Sequence, residues 1–322
     1  MTGLVIITGA NGFIGHVLAA RWTRLGRPYR GLVRVLDASL APKPALVAIG
    51  DLARASDGAL ADALAGASAV VHLAGRAHVM NETVDAQARF REANVVATER
   101  LARAAIRARI ERFVLASTVK VHGETSPPDR PLRPDDPLAP RGAYACSKRD
   151  AEHALFTLTD GTSMTPLALR LPLVYGPGAK GNFATLLEAV AHGRRLPLAA
   201  ISARRSIAYV VNVVAAIEAA LDAQPAPVGA HFIADRDSVT VGELARAIGD
   251  ALGKPARLYA VPAPLLRIAG VLTGRGEAIA RLTTPLEIDT SSFAAATRFA
   301  APFTLTEGLA ATAAWWRARH AL

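Results

Sequence analysis

The chain has 322 residues, of which 51% are apolar and 20% charged, with a net charge of +10 at pH 7 and one cysteine, Cys146. That length suits one large domain or two fused units, and the composition is that of a globular protein. A lone cysteine excludes a disulfide framework and a cysteine-rich metal centre, and it fits a reducing cytoplasm.

The N-terminus enters a strand pattern at once, without the pattern of a secretory signal. No charge-free apolar run reaches the roughly 18 residues that cross a bilayer, so stable membrane insertion is not expected. The arginines are scattered and form no basic block with interleaved aromatics, which argues against a nucleic-acid partner. A positive cleft would favour an anionic substrate or cofactor instead.

The first element is the apolar run Leu4 to Ile7, a strand buried on both faces. Thr8-Gly9-Ala10-Asn11-Gly12-Phe13-Ile14-Gly15 follows, and Phe13, Ile14, Val17, Leu18, Trp22 and Leu25 then recur at helical spacing. Strand, glycine turn and helix make a dinucleotide site. Gly9 permits the tight turn, Gly12 lets the backbone approach a pyrophosphate, and Gly15 lets the helix pack close to the strand. The pyrophosphate rests on free N–H groups at the helix start, between Asn11 and Gly15.

Tyr29 to Arg34 reads as the second strand, whose end faces the adenosine ribose. An arginine there accommodates a 2′-phosphate, so Arg34 favours NADP(H), with NAD(H) the alternative because Asp37 is near. Leu46 to Ile49 is a third strand. Asp51 after it either accepts from the adenine amino group or serves as a turn or cap residue. Asp57 to Leu64 reads as a helix, and Ala69 to Gly75 as the fourth strand, whose Ala74 and Gly75 would let a ribose lie against the backbone. His72 within it reads as a core histidine; His78 has no assignable role.

From Asn81 to Arg109 the pattern predicts one long helix with Asn94 in its middle, where propensity disfavours asparagine. Glu111 to Ser117 is the fifth strand, and proline-rich Ser126 to Pro140 a surface loop over the site. Tyr144 and Lys148 open the next helix four residues apart and share a face. Only five lysines occur in the chain, so a chance Tyr-x-x-x-Lys is uncommon. A phenol with a pKa of about 10 is a poor base. A lysine ammonium about 5 Å away, at an effective dielectric of about 20, would favour phenolate by about 3 kcal/mol, or two pKa units.

Leu167 to Leu171 is a sixth strand and Pro172 to Gly178 a rigid loop. Helices are expected from Asn182 to His192, Asn212 to Ala223, Val241 to Leu252 and Leu305 to Arg319. A last strand covers His231 to Ala234, and Arg257 to Val261 is read as extended. Pro264 to Leu272 is strongly apolar, too short to span a membrane, and reads as a core helix in preference to one lying on a bilayer.

These motifs together resemble the extended short-chain dehydrogenase/reductase family of nucleotide-sugar epimerases, dehydratases and 4-keto reductases. The anchors are Thr8-Gly9-x-x-Gly12-Phe13-Ile14-Gly15, Asp51-Leu52, His72-Leu73-Ala74, Tyr144-x-x-x-Lys148 and Leu169-Arg170-x-Pro172-x-x-Tyr175-Gly176-Pro177-Gly178. The resemblance implies an α/β fold, a doubly wound parallel Rossmann sheet with a smaller mixed C-terminal part. It places the dinucleotide domain at 1–171, joined by 207–234, and the substrate part at 172–206 and 235–322. It implies a catalytic triad of Thr118, Tyr144 and Lys148, with Ser117 the competitor for Thr118. The dinucleotide would be held by Gly9 to Gly15, Arg34, Asp51, Leu52, Leu73, Ala74, Gly75, Asn94, Tyr144, Lys148 and Pro172. The UDP-sugar would meet Thr118, Lys120, Tyr144, Asn182 and Arg205, with Arg205 on the diphosphate. The glycine spacing GxxGxxG is the one found in this family, and two departures stand out: His122 in place of a tyrosine, and Val211 where an aspartate often precedes the asparagine.

The family implies a homodimer paired through the helices around Asn94 and Tyr144. Motifs around Ser117-Thr118-Val119-Lys120 and Arg204-Arg205-Ser206 resemble a bacterial surface-polysaccharide subgroup. Its members are UDP-glucose 4-epimerases or 4-reductases that form UDP-N-acetylquinovosamine. Arg34 favours the reductase, because a net reductase consumes hydride while an epimerase recycles its cofactor. A non-catalytic dinucleotide-binding regulator is the remaining alternative.

Overall fold

The computed structural model describes residues 3–36, 45–77, 85–127, 130–274 and 276–320. Asp37 and His78 lie outside them. In chain order the first half runs β1 (Leu4–Thr8), α1 (Phe13–Leu25), β2 (Tyr29–Val33), β3 (Leu46–Ala48), α2 (Asp57–Leu64), β4 (Ala67–His72), α3 (Ala86–Phe90), a π-helical turn (Arg91–Val96), α4 (Ala97–Arg107) and β5 (Arg112–Thr118). A 3₁₀ turn (Val119–His122), α5 (Gly142–Thr159), β6 (Thr165–Leu171), β7 (Leu173–Tyr175), α6 (Asn182–Ala191), β8 (Arg195–Leu196), β9 (Arg204–Arg205), β10 (Ile207–Tyr209), α7 (Val210–Asp222) and β11 (Gly229–Phe232) follow. The end consists of β12 (Val239–Thr240), α8 (Val241–Leu252), β13 (Arg257–Leu258), α9 (Ala263–Leu272), α10 (Gly276–Thr283), α11 (Ser291–Thr297) and α12 (Leu305–Arg319).

Seven strands form one parallel sheet in the order β11-β6-β5-β4-β1-β2-β3. Successive β1 residues feed opposite faces: Val5 and Ile7 pack with Leu18 and Trp22 of α1 and Ile217 of α7, while Ile6 packs with Leu60 of α2, Leu101 of α4 and Leu155 of α5. The sheet is thus wound on both sides, and strand order reverses between β1 and β4. In such sheets the ligand crevice opens at that reversal, beyond the strands' carboxyl ends.

Three expectations needed correction. The long helix is interrupted: α3 and α4 are joined by the π-helical turn that carries Asn94, and residues 81–84 lie outside the described ones. The segment Pro172 to Gly178 is not all loop, because Leu173–Tyr175 pairs in parallel with Ile207–Tyr209. The apolar run at 264–272 is helical but is not a core helix, since only Gly270 of α9 is buried. Among the described residues no helix is long and apolar enough to cross a membrane.

Helices α8 and α12 follow their sequence signals. Thr240 and Thr304 start α8 and α12 with full capping boxes, each closed by a glutamate three residues on. The C-terminal part gathers around Tyr175, Phe183, Leu187, Ile207, Tyr209, Leu244 and Leu309. Buried Asn212 ties it to the sheet domain, donating to Asp235 at 2.7 Å and to the Phe303 carbonyl at 2.9 Å while accepting from the Phe303 N–H at 3.0 Å. Val211 beside it is half-buried in the same apolar cluster.

Candidate active site

The glycine turn has the geometry its spacing requires. Gly9 has φ +66°, and a Cβ there would lie 2.8 Å from the Ala74 nitrogen. A Cβ on Gly15 would lie 2.1 Å from the Gly9 carbonyl oxygen, so α1 can approach β1 only because that residue is glycine. Gly12 differs, with an ordinary φ of −74° and only the Gly9 oxygen within reach of a Cβ, at 3.1 Å. Asn11 and Gly12 are exposed, and α1 begins with no side-chain cap and no acid in its first turn. That helix end suits an anion, and the open backbone at Gly12 leaves room for a pyrophosphate.

Small residues line the other wall. Thr8 Oγ1 accepts from the Ala74 N–H at 3.1 Å and bonds His72 Nδ1 at 2.7 Å. Thr98 donates its hydroxyl to the Asn94 carbonyl at 2.6 Å, which leaves its oxygen to accept from His72 Nε2–H at 3.1 Å. His72 is therefore a neutral core histidine, and burial lowers its pKa to about 3.

The π-helical turn explains the misplaced asparagine. Asn94 is buried; its Oδ1 accepts from the Arg76 N–H at 2.8 Å, and its Nδ2 donates to the Arg76 carbonyl at 3.1 Å and to Ser147 Oγ at 2.9 Å. Ser147 in turn donates to the Tyr144 carbonyl at 2.8 Å. The extra residue per turn brings Asn94 against α5. A Cβ on Gly75 would lie 2.9 Å from Asn94 Oδ1 and 3.2 Å from Lys148 Nζ, so Gly75, Asn94 and Lys148 meet at one point.

Lys148 is buried, and its ammonium donates to the Ala116 carbonyl at 2.9 Å. Burial lowers its pKa to about 8, against the opposing pull of Glu152. Tyr144 is half-buried with the Thr118 hydroxyl near its phenol, and Thr118 accepts from the Lys120 N–H at 3.3 Å. Burial pushes the Tyr144 phenol above its usual pKa, with the Thr118 hydroxyl opposing. The expected acidification by Lys148 is thus not what this structure shows: desolvation dominates, and the ammonium is turned to the Ala116 carbonyl.

Alternation along β5 separates the two hydroxyl candidates. Thr118 meets Tyr144, whereas Ser117 turns to the other side and donates to Glu152. The Glu152 carboxylate, also buried, accepts from Arg170 through Nε at 3.1 Å and Nη2 at 2.7 Å. Arg170 Nη1 donates to His122 Nε2 at 2.7 Å and to the Pro134 carbonyl at 2.7 Å, and His122 Nδ1 contacts the Pro137 carbonyl at 3.3 Å. Burial and Arg170 lower the pKa of His122. Sequence reading did not single out Glu152, although it stands four residues after Lys148, on the same face of α5.

Residues assigned to the outer parts of the site are more varied. Arg34 is exposed at the end of β2. Asp51 Oδ1 accepts from the Ala53 N–H at 3.0 Å, the arrangement of a turn residue, and Leu52 is buried beneath it. Leu73 packs against the core cluster and Pro172 is buried after β6. Asn182 is exposed at the start of α6.

Lys120 pairs with Glu124 at 2.9 Å, and Glu124 also accepts from Arg281 of α10 at 2.7 Å. Burial works to raise the Glu124 pKa, but the two cations hold it below the usual range. Arg205 Nη1 donates to the carbonyls of Arg281 and Thr284, both at 2.8 Å. That nitrogen therefore fixes the end of α10. Arg204 lies apart, bonded to Glu243 at 3.3 Å and to Ser238 at 3.1 Å.

Known proteins are similar to this chain over most of its length. The model of the NAD dependent epimerase/dehydratase family matches residues 5–233. A UDP-glucose 4-epimerase of Vibrio cholerae is 33% identical over 311 residues, covering 96% of this chain and 94% of that protein. The N-acetyl-alpha-D-glucosaminyl-diphospho-ditrans,octacis-undecaprenol 4-epimerase of Escherichia coli O157:H7 is 25% identical, with 96% and 94% covered. The solved structure of MoeE5 in complex with UDP-glucose and NAD superposes with a TM-score of 0.77 at 26% identity, over 99% of this chain and 100% of that one.

Proposed function

Since the chain belongs to the NAD dependent epimerase/dehydratase family, we propose that it is a nicotinamide-dinucleotide-dependent oxidoreductase acting at C4 of a UDP-sugar. The observation that carries this reading is the convergence of Tyr144, Thr118, Lys148 and Asn94 beside the glycine turn, at the strand-order reversal. The family resemblance, the UDP-glucose named for the Vibrio relative, and the NAD and UDP-glucose of the MoeE5 complex support it.

The turn at Gly9 to Gly15, with Ala74, Gly75 and Lys148, would hold the dinucleotide. When bound, the nicotinamide supplies or accepts the hydride. The chain's own part is the proton. Tyr144 gives a proton to the C4 oxygen or takes one from it, and Thr118 holds that oxygen in line. Lys148, fixed through the Ala116 carbonyl, places a positive charge beside the reacting oxygen. Asn94 and Ser147 fix the start of α5 and hence the position of Tyr144.

The finer reading is NADPH-dependent reduction of a UDP-2-acetamido-2,6-dideoxy-hexos-4-ulose to UDP-N-acetylquinovosamine. Two features favour it. Arg34 suits a 2′-phosphate, and burial keeps Tyr144 protonated, the form that donates to a ketone oxygen. The second reading is a 4-epimerase with retained NAD, favoured by the names of the Vibrio and Escherichia relatives. Incubation with the 4-keto sugar and NADPH separates them: the reductase oxidises one NADPH per sugar reduced. The epimerase interconverts UDP-glucose and UDP-galactose with no net change at 340 nm. Absence of both activities would discard the proposal. We further propose a homodimer paired through α4 and α5, which equilibrium sedimentation tests.

A further inference from the structure

Helix α9 presents an apolar face that the fold leaves uncovered. Its inward side is fixed by two contacts. Leu266 packs into the C-terminal core, and Gly270 lies so close to α10 that a Cβ would sit 2.8 Å from Ile279 Cδ1. At 100° per residue, Leu265, Ile268, Val271 and Leu272 then share the opposite arc. They are 56, 58, 75 and 81% exposed, against the general rule for large aliphatic side chains.

The helix and the strand pair that precedes it in sequence carry basic charge. The sequence Ala263 to Leu272 contains no acid, and Arg267 at the edge of the arc is exposed, with Nε on Thr283 Oγ1 at 3.2 Å. Just before the helix, Arg257 pairs with Arg195 across β13 and β8, and the Arg195 guanidinium lies 5.4 Å from the centre of the half-exposed Tyr259 ring. The whole chain carries +10.

We propose that α9 docks the protein reversibly on an anionic lipid bilayer. Ten residues make a helix of about 15 Å, which lies in the interface plane and does not span. Aliphatic side chains reach the acyl boundary, while Arg267 at the edge of the arc suits the headgroup level of an anionic leaflet. A specific protein interface would call for roughly one hydrogen bond per 100–200 Å²; the arc offers aliphatic side chains over a hydrogen-bonded backbone, which favours lipid. Behind α9, α10 contacts Glu124 and Arg205 through Arg281.

The test uses the full chain and requires no turnover, so its outcome is independent of the catalytic reading. Co-sedimentation is measured with vesicles of equal phosphatidylglycerol and phosphatidylcholine, and with pure phosphatidylcholine, at low and physiological salt. The proposal expects partitioning onto the anionic vesicles, weakened by salt and reduced at least tenfold in Ile268→Asp/Val271→Asp. Leu265→Gln/Leu272→Gln, a milder change, should reduce it in the same direction with an unaltered melting temperature. Equal sedimentation of wild type and both variants, or none of wild type, overturns the proposal. So does a sedimentation-equilibrium result in which these substitutions dissociate an oligomer, which would assign the face to a second copy.

Discussion

The proposed cofactor side and the proposed substrate side of the crevice are built differently. On the cofactor side the geometry is backbone: Gly9, Gly15 and Gly75 are held by contacts that a methyl group would break. The polar groups behind them, Thr8, His72, Asn94, Thr98 and Lys148, are buried and bonded. On the substrate side the cations Lys120, Arg205 and Arg281 are engaged with Glu124 or with the end of α10, and Asn182 is exposed. A site preformed in backbone is rigid and permits little change. One made of exchangeable ion pairs can release its cations to an anionic ligand, because such pairs at partial exposure contribute little stability.

That contrast can be broken at its strongest point first. Tyr144→Phe should lower kcat by about 10²–10⁴-fold, the usual share of a positioned acid or base, while dinucleotide affinity stays within a few-fold in equilibrium titration. Next comes the support beneath it. Glu152→Gln leaves Arg170 buried against a neutral partner and should cost about 3–5 kcal/mol in urea unfolding. The double change Glu152→Leu/Arg170→Met should recover most of that stability. Loss of the same size in both variants would remove the buried pair as the cause.

The pH dependence is of intermediate size. The Lys148 ammonium is present below about pH 8 and is lost as pH rises through that value, while Tyr144, pushed upward, stays protonated over the same range. Reduction should therefore fall about tenfold per pH unit on the alkaline side, read from initial rates at saturating substrate. On the exchangeable side, Glu124→Gln should remove the carboxylate that Lys120 and Arg281 both meet and change KM by only a few-fold, with kcat preserved. A thousandfold effect there, or a negligible one at Tyr144, would invert the contrast.

The same division decides what the sequence made legible. The sheet, the glycine turn and the Tyr144–Lys148 face of α5 were readable, because alternation, glycine spacing and the four-residue helical step are local rules. The π-helical turn at Asn94 was not. Its driving force is a contact with Ser147 on another helix, although the unfavourable asparagine was a visible sign. Strand β7 escaped notice because its partner β10 lies some thirty residues on. For α9 the pattern was right and the burial wrong, since hydrophobicity does not say whether a core has room for a helix. Glu152 carried a sign in its spacing from Lys148, but its meaning depends on Arg170 arriving from β6. The engagement of Arg205 with α10 likewise depends on a pairing across the fold.

The central claim is that Thr118 and Tyr144 converge on one substrate oxygen. A crystal structure of Tyr144→Phe with dinucleotide and UDP-sugar tests it most directly. The account predicts the C4 oxygen within about 3.2 Å of Thr118 Oγ1, with the ring of residue 144 beside it. A sugar seated with C4 away from both side chains, and another ring carbon in their place, would contradict it.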